Sequence, residues 1–143
     1  MLIPGQLGRL KASGLEQLGM TSNGISLHRK LPALVAAGLT HLNLSMDTLV
    51  PAKFPFLTRR PVTYHAAVMQ SLEAALALAP QGLTTKINVV VMRGLNEDEL
   101  APFVELTQHK NVIVRFIEWM PFTGGCLDFS AHCSPLLRQC SAG

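Results

Sequence analysis

The stretch from Thr84 to Met92 reads Thr-Thr-Lys-Ile-Asn-Val-Val-Val-Met, and it decides the fold class. Its β-branched residues favour a strand. An Ala/Leu-rich helical pattern, Thr63 to Ala79, precedes it, and a second helix is predicted from an Asn96 cap to about His109. Helix, strand and helix at this spacing indicate βαβ units, which build a parallel sheet.

The same alternation continues outward on both sides of this strand. Further strands are predicted at Leu18–Thr21, Thr40–Met46 and Asn111–Met120, and further helices at Gln6–Leu18 and Ser26–Ala37. Ser26 is the expected N-cap of the latter helix and Gly38 its terminal glycine. The three prolines between Leu49 and Pro61 predict an irregular loop.

Four strands without closure predict an α/β fold that is either an arc of a parallel β/α barrel or half of an open sheet. A closed eight-stranded barrel takes about 250 residues, whereas the chain has 143. We expect residues 1–125 to form about four βα units. Residues 126–143 show no hydrophobic period and are expected to form an irregular tail.

Composition and charge narrow the classes of function. Apolar residues make up 48% and the mean hydropathy is +0.29, which is high for a small domain and typical of part of a larger fold. The net charge of +3 is spread along the chain, so nucleic-acid binding is not favoured, and a modest preference for anionic small molecules fits the charge equally well. No apolar run reaches the roughly 18 residues of a membrane span.

The cysteines and histidines do not predict a metal site. Cys126, Cys133 and Cys140 are spaced C-x6-C-x6-C, whereas metal sites favour C-x2-C pairs. The five histidines show no H-E-x-x-H arrangement, so zinc is not expected. The sequence also lacks P-loop, G-x-G-x-x-G and G-x-S-x-G motifs.

Two cations within predicted strands are candidate ligand contacts. Lys86 shares a strand face with Asn88, and it either lines a wet interior or extends to water from the strand start. Arg115 lies in the middle of a strand and needs an anionic partner, which is either a ligand or an internal carboxylate such as Glu118 or Asp47. In parallel folds such sites gather at the carboxyl ends of strands.

Four ordered motifs carry a resemblance to a known family. They are Met-Thr-Ser-Asn-Gly at 20–24, Leu-Asn-Leu-Ser-Met-Asp-Thr-Leu at 42–49, Lys-Ile-Asn-Val-Val-Val-Met-Arg-Gly-Leu-Asn at 86–96 and Arg-Phe-Ile-Glu-Trp-Met-Pro at 115–121. With them, the chain resembles the MoaA family of radical SAM GTP 3′,8-cyclases of molybdenum cofactor biosynthesis. The resemblance covers roughly Gln6 to Gly125, and the stretches Val50–Phe54 and Met92–Leu100 are similar to the animal form.

The resemblance implies a partial, TIM-like β/α barrel that uses S-adenosylmethionine and [4Fe-4S] clusters to act on GTP. By motif, Ser45 and Met120 would contact S-adenosylmethionine, and Thr21 and Lys86 would contact GTP. Arg115 resembles the family's barrel arginine near the triphosphate and is the candidate catalytic residue. Strand parity sets Arg115 and Met120 on opposite faces unless a bulge intervenes or Met120 lies past the strand end.

The chain departs from the family at its cluster ligands. The C-x3-C-x2-C motif and the Gly-Gly-Glu-Pro-type motif are absent from the sequence, and the three cysteines do not match the family's second cluster. Without a cluster the radical does not form, so we expect a truncated product that is inactive alone.

Several alternatives to catalysis stay open. They are a non-catalytic nucleotide-binding or partner-binding fragment, a different β/α barrel enzyme for a phosphorylated substrate, and an unstable piece without a role. The resemblance implies a mitochondrial matrix location and association with a full-length family protein or with cyclic pyranopterin monophosphate synthase. No import signal is visible.

Overall fold

The computed structural model describes residues 4–120, and the predicted tail at 126–143 lies outside them. The described elements, in chain order, are α1 (Pro4–Ala12), β1 (Gly19–Ser22), α2 (Leu31–Ala36), β2 (His41–Ser45), α3 (Phe54–Thr58), α4 (Thr63–Ala77), a 3-10 turn (Ala79–Gln81), β3 (Thr84–Val91), a second 3-10 turn (Glu97–Glu99), α5 (Leu100–His109) and β4 (Ile113–Glu118).

The four described strands form one open parallel sheet in the order β1-β2-β3-β4. Each strand therefore pairs with the next strand in the sequence, and helical segments lie in every connection. This arrangement confirms the predicted α/β class and the parallel, partial β/α barrel. Parallel neighbours need such crossovers because their strands run in the same direction.

One face of the sheet is covered by helices and holds the core. Leu42 and Leu44 of β2 and Ile87 of β3 are completely buried there. They pack in one cluster with side chains from the helices, among them Leu72 of α4 and Phe103 of α5. The opposite face is open, and the strands' alternating side chains place the polar residues on it.

The helix predicted from Ser26 begins later, at Leu31. Residues 25–30 form turns, and Lys30 precedes α2 without a side-chain capping bond, so the predicted Ser26 cap is wrong. Pro32 lies in the first turn of the helix, where a proline costs no hydrogen bond. Gly38 has a φ of +107° and donates its N–H to Val35, as expected of a terminal glycine.

Two other local predictions need correction. The segment predicted as an irregular loop contains α3, whose Pro55 is again in the first turn. Asn96 does not cap a helix through its side chain, and the segment after it is a 3-10 turn before α5. Its amide instead bonds to distant backbone groups, as described below.

Candidate functional site

The open face of the sheet aligns the polar residues of successive strands in two rows. In the first row Thr21 pairs with Asn43, and Asn43 pairs with Lys86. In the second row Ser45 pairs with Asn88, which pairs with Arg115 of β4. Paired residues of neighbouring strands lie about 5 Å apart and share a face. The structure thus gathers four of the five candidate residues on one face.

The two cations on this face differ in exposure. Lys86 is half-buried within β3, whereas Arg115 is exposed on β4. None of the ion pairs among residues 4–120 includes either cation. The internal partners considered for Arg115 therefore do not pair with it: Glu118 has the opposite parity on the strand, and Asp47 bonds elsewhere. Both side chains are available to an anionic ligand.

The amides on the open face have few protein partners. The Nδ2 atom of Asn43 donates to the Thr21 hydroxyl over a long 3.5 Å. The Oδ1 atom of Asn88 is buried and accepts no hydrogen bond from any described residue. A buried carbonyl oxygen without a donor is unusual in a protein, because it has lost water without a replacement.

Met120 lies past the end of β4, which stops at Glu118. The register between β3 and β4 is continuous from Lys86 to Val91, so no bulge is present, and the parity conflict between Arg115 and Met120 does not arise. The Met120 side chain is 56% exposed. Ser45, the last residue of β2, is exposed at the same edge of the sheet.

A cavity of about 280 Å³ lies at this carboxyl edge. Its lining is mostly apolar and aromatic, with one acid and one arginine: Asp47, Phe56, Leu57, Arg59, Val90, Met92, Leu95 and Trp119. The residues come from β3 and from the segments that follow β2, β3 and β4. Apolar walls with a few polar groups are typical of sites for small molecules.

Hydrogen bonds of Asp47 and Asn96 connect three residues that line this cavity, Asp47, Val90 and Met92. The Asp47 carboxylate accepts the Val90 N–H at 2.8 Å. Asn96 is buried and accepts the Met92 N–H at 2.7 Å, while its Nδ2 donates to the carbonyls of Asp47 and Val90. Burial raises the pKa of Asp47 above 3.8, and the hydrogen bond from Val90 partly opposes this rise.

A second network anchors the segment between β2 and α3. The buried carboxylate of Glu99 accepts the Thr48 hydroxyl at 2.7 and 2.9 Å and the Leu49 N–H at 2.6 Å. Lys53 lies 3.2 Å from Glu99 and 2.6 Å from Asp98. The hydrogen bond between Lys53 and Asp98 raises the pKa of Lys53 and lowers that of Asp98.

Two further properties concern the described part of the chain as a whole. Among residues 4–120, no three His, Cys, Asp or Glu side chains group closely enough to hold a metal ion. The cysteine prediction lies outside these residues. No helix in the same range is long and apolar enough to cross a membrane.

Most of the residues that line the cavity were not predicted from the sequence. Arg59 and Leu57 line it from a segment predicted to be irregular, and nothing in their sequence pattern indicates this. Trp119 could have been found, since it immediately precedes the candidate Met120 at a strand end. Asn88 was placed on the correct face, but its unsatisfied Oδ1 is visible only in the structure.

Comparisons with known proteins give one superfamily model and several relatives. The sequence model described as the Radical SAM superfamily matches residues 5–107. The chain is 55% identical over 119 residues to "GTP 3′,8-cyclase, mitochondrial" of Arabidopsis thaliana, covering 83% of this chain and 29% of that protein. It is 50% identical over 127 residues to "Molybdenum cofactor biosynthesis protein 1" of Homo sapiens, covering 89% of this chain and 19% of that protein.

A bacterial relative and a solved structure extend the comparison. The chain is 44% identical over 109 residues to GTP 3′,8-cyclase of Chlorobaculum tepidum, covering 76% of this chain and 32% of that protein. It thus spans roughly a fifth to a third of these relatives. A crystal structure of a domain of pyruvate-formate lyase-activating enzyme from Bacteroides vulgatus has a TM-score of 0.60 at 11% identity, covering 95% of this chain and 83% of that one, and supports the fold alone.

Proposed function

Because the chain belongs to the radical SAM superfamily, we propose that it serves the GTP 3′,8-cyclase step of molybdenum cofactor biosynthesis. Relatives from a plant and a bacterium carry the name of this enzyme, and the human relative is named for the pathway. The observation that carries the proposal is the open face, where Thr21, Lys86, Ser45 and Arg115 lie in two adjacent rows.

On this proposal, the two cations bind the triphosphate of GTP. Lys86 and Arg115 are on the same face of neighbouring strands and have no carboxylate partner among the described residues. The guanidinium of Arg115 presents several donors in a fixed plane, which suits phosphate oxygens. Thr21, in the row of Lys86, donates its hydroxyl to the same ligand and is held by Asn43.

Ser45 and Met120 are the proposed contacts to S-adenosylmethionine. Both are exposed at the carboxyl edge of the sheet, and the apolar cavity adjoins them through Asp47 and Trp119. The orphaned Asn88 Oδ1 on the same face fits a polar ligand there. When bound and reduced, S-adenosylmethionine supplies the radical that removes a hydrogen atom from the ribose of GTP. The chain's own residues bind and orient the two molecules.

The described residues do not fit an iron–sulfur cluster. Clusters of this kind are held by cysteine thiolates, and residues 4–120 contain no cysteine. The role proposed for this segment therefore includes no step at a cluster. The segment supplies the substrate-binding arc of the barrel, with the mitochondrion as its location by analogy with the plant relative.

A second candidate function is partner binding without catalysis. The edge strand β4 exposes Ile113 to 50% and Ile117 to 37%, and its outer backbone groups have no neighbouring strand among the described residues. Open edges with apolar side chains pair readily with other chains. The proposed partner is a full-length family protein, with cyclic pyranopterin monophosphate synthase as the second candidate.

GTP binding by the purified chain tests the main proposal. Lys86→Met and Arg115→Met each remove a charge-assisted hydrogen bond of about 1.5–3 kcal/mol, so each should weaken GTP binding roughly 10- to 100-fold in calorimetry. Lys11→Met is the matched control, because Lys11 is an exposed lysine on α1, away from the open face. Absence of GTP binding, or an equal loss in all three variants, would contradict the proposal.

A further inference from the structure

The paired residues of the open face continue one step beyond Lys86, toward the amino ends of the strands. There His41, the first residue of β2, pairs with Gly19 of β1 and with Thr84 of β3. Because side chains alternate along a strand, His41 lies on the same face as Asn43, two residues later. The proposed function does not use this imidazole.

Three basic side chains follow one diagonal across the open face. Arg115 of β4 pairs with Asn88, and Lys86 lies two residues before Asn88 on β3. Lys86 pairs with Asn43, and His41 lies two residues before Asn43 on β2. Each step of the diagonal therefore covers about 5 Å across the sheet and about 7 Å along the strand. Basic side chains at this spacing can contact successive groups of one polyanion.

One ring nitrogen of His41 is held by the protein. Its Nδ1 lies 2.8 Å from the Thr40 hydroxyl, which also accepts the Leu18 N–H at 2.9 Å. That hydroxyl can donate its proton to Nδ1, because the Leu18 carbonyl already accepts the N–H groups of Thr40 and His41. With Nδ1 as the acceptor, the proton of a neutral imidazole is on Nε2. No hydrogen bond to Nε2 occurs among residues 4–120, so this N–H is available to a ligand.

The space beside the imidazole is open on the side of β1. The residue paired with His41 on that strand is Gly19, which carries no side chain. A Cβ built at Gly19 would meet only the Cβ of His41 among the described atoms within 4 Å, at 3.8 Å. His41 is half-buried, as is Lys86. A ligand that lies on the open face can therefore reach the ring.

We propose that Nε2 of His41 donates a hydrogen bond to the terminal phosphate of GTP and thereby distinguishes GTP from GDP. The inference rests on the proposed function, in which Ser45 and Met120 bind S-adenosylmethionine at the carboxyl edge. The ribose of GTP has to lie beside that molecule, because its hydrogen atom is removed there. The phosphates then extend toward the amino ends of the strands, past Arg115 and Lys86. His41 is the next basic side chain on this line.

The number of phosphates provides the test. In calorimetry, His41→Ala should weaken GTP binding about tenfold, as for one hydrogen bond to a charged group, and GDP binding by less than about twofold. Lys86→Met should weaken both nucleotides, because Lys86 lies nearer to the ribose end of the phosphate chain. His109→Ala is the matched control and should change neither, since His109 is an exposed histidine at the end of α5.

Two amide variants separate a ligand contact from a structural role of His41. His41→Gln places an amide nitrogen near the position of Nε2 and should keep most of the preference for GTP. His41→Asn places its amide near the position of Nδ1, so it can bond to Thr40 but should lose the preference as His41→Ala does. If His41→Asn keeps the preference and His41→Gln loses it, the imidazole only supports the start of β2, and the inference is wrong.

The outcomes separate the two proposals, and GDP binding by each variant shows that the variant is folded. If Lys86→Met weakens GTP binding but His41→Ala weakens GTP and GDP equally, or neither, the inference on His41 fails and the proposed function stands. The same holds if the wild-type chain binds GDP as tightly as GTP. If the wild-type chain binds neither nucleotide, both proposals fail together.

Discussion

Replacing Glu99 should lower the stability of the protein, because its carboxylate anchors the segment between β2 and α3. Glu99 is only 3% exposed, and its carboxylate satisfies the Thr48 hydroxyl and the Leu49 N–H. Thr48 is itself completely buried, so Glu99→Ala removes the main acceptor of its hydroxyl proton, while the hydroxyl oxygen still accepts the Val50 N–H at 3.0 Å. The unpaired Leu49 N–H should cost about 1–3 kcal/mol and the lost hydrogen bond of Thr48 about 1 kcal/mol, so Glu99→Ala should cost about 2–4 kcal/mol.

Glu99→Gln keeps the shape and one acceptor oxygen, so it should lose about 1–2 kcal/mol. The control is Asp98→Asn, since Asp98 is a 67% exposed partner of the same Lys53 and should change stability little. Urea unfolding followed by the fluorescence of Trp119, the chain's single tryptophan, measures all three variants. If Glu99→Ala unfolds at the same urea concentration as Asp98→Asn, the network does not anchor this segment.

Two further predictions concern packing and pH. Gly24 has a φ of +74°, and a Cβ at this position would lie 2.7 Å from Cδ1 of Leu44. Gly24→Ala should therefore lower the free energy of unfolding in urea by about 2–4 kcal/mol. Gly82→Ala is the control, because Gly82 has a φ of +90° but its Cβ would meet no atom within 4 Å. It should cost only about 1–2 kcal/mol, and equal losses in the two variants would refute the predicted clash with Leu44. Burial raises the pKa of Asp47 in the folded protein, so the ionised side chain lowers the free energy of unfolding at a pH above this pKa. The protein should become more stable as the pH falls through the raised pKa towards 3.8. Asp47→Asn keeps an acceptor for the Val90 N–H but cannot titrate, so it should not gain stability in this pH range. If the stability of the wild-type chain and of Asp47→Asn changed in parallel with pH, this prediction would be wrong.

The strands could be predicted because their signal is contained in the strand itself. Thr84–Val91 is rich in β-branched residues, and the alternation of its faces follows from the strand period of two. The residues at which helices begin were harder to predict than the strands. The leucine pattern of α2 continues backward through the turn at residues 25–30, so periodicity alone does not show where the helix begins. The short α3 is hidden by its prolines, which serve loops and first turns equally.

The two rows of polar residues on the open face follow from the alternation of side chains along each strand and from the pairing of successive strands. Both of these features could be predicted from the sequence. The partners of Asn96 were not, because they include the carbonyl of Asp47, 49 residues away. Its capping prediction used a local preference that a distant hydrogen bond overrode. The exposure of Arg115 also depends on position in the sheet, since β4 has a described neighbour on one side only. Mid-strand placement indicates burial only for a strand inside a sheet.

The order of the strands in space is the same as their order in the chain. During synthesis, β1 can pair as soon as β2 has left the ribosome, and no strand waits for a partner made much later. An arc of this kind grows from one end, and at every stage its newest strand is the growing edge. The four described strands can therefore assemble in the order in which they are synthesised.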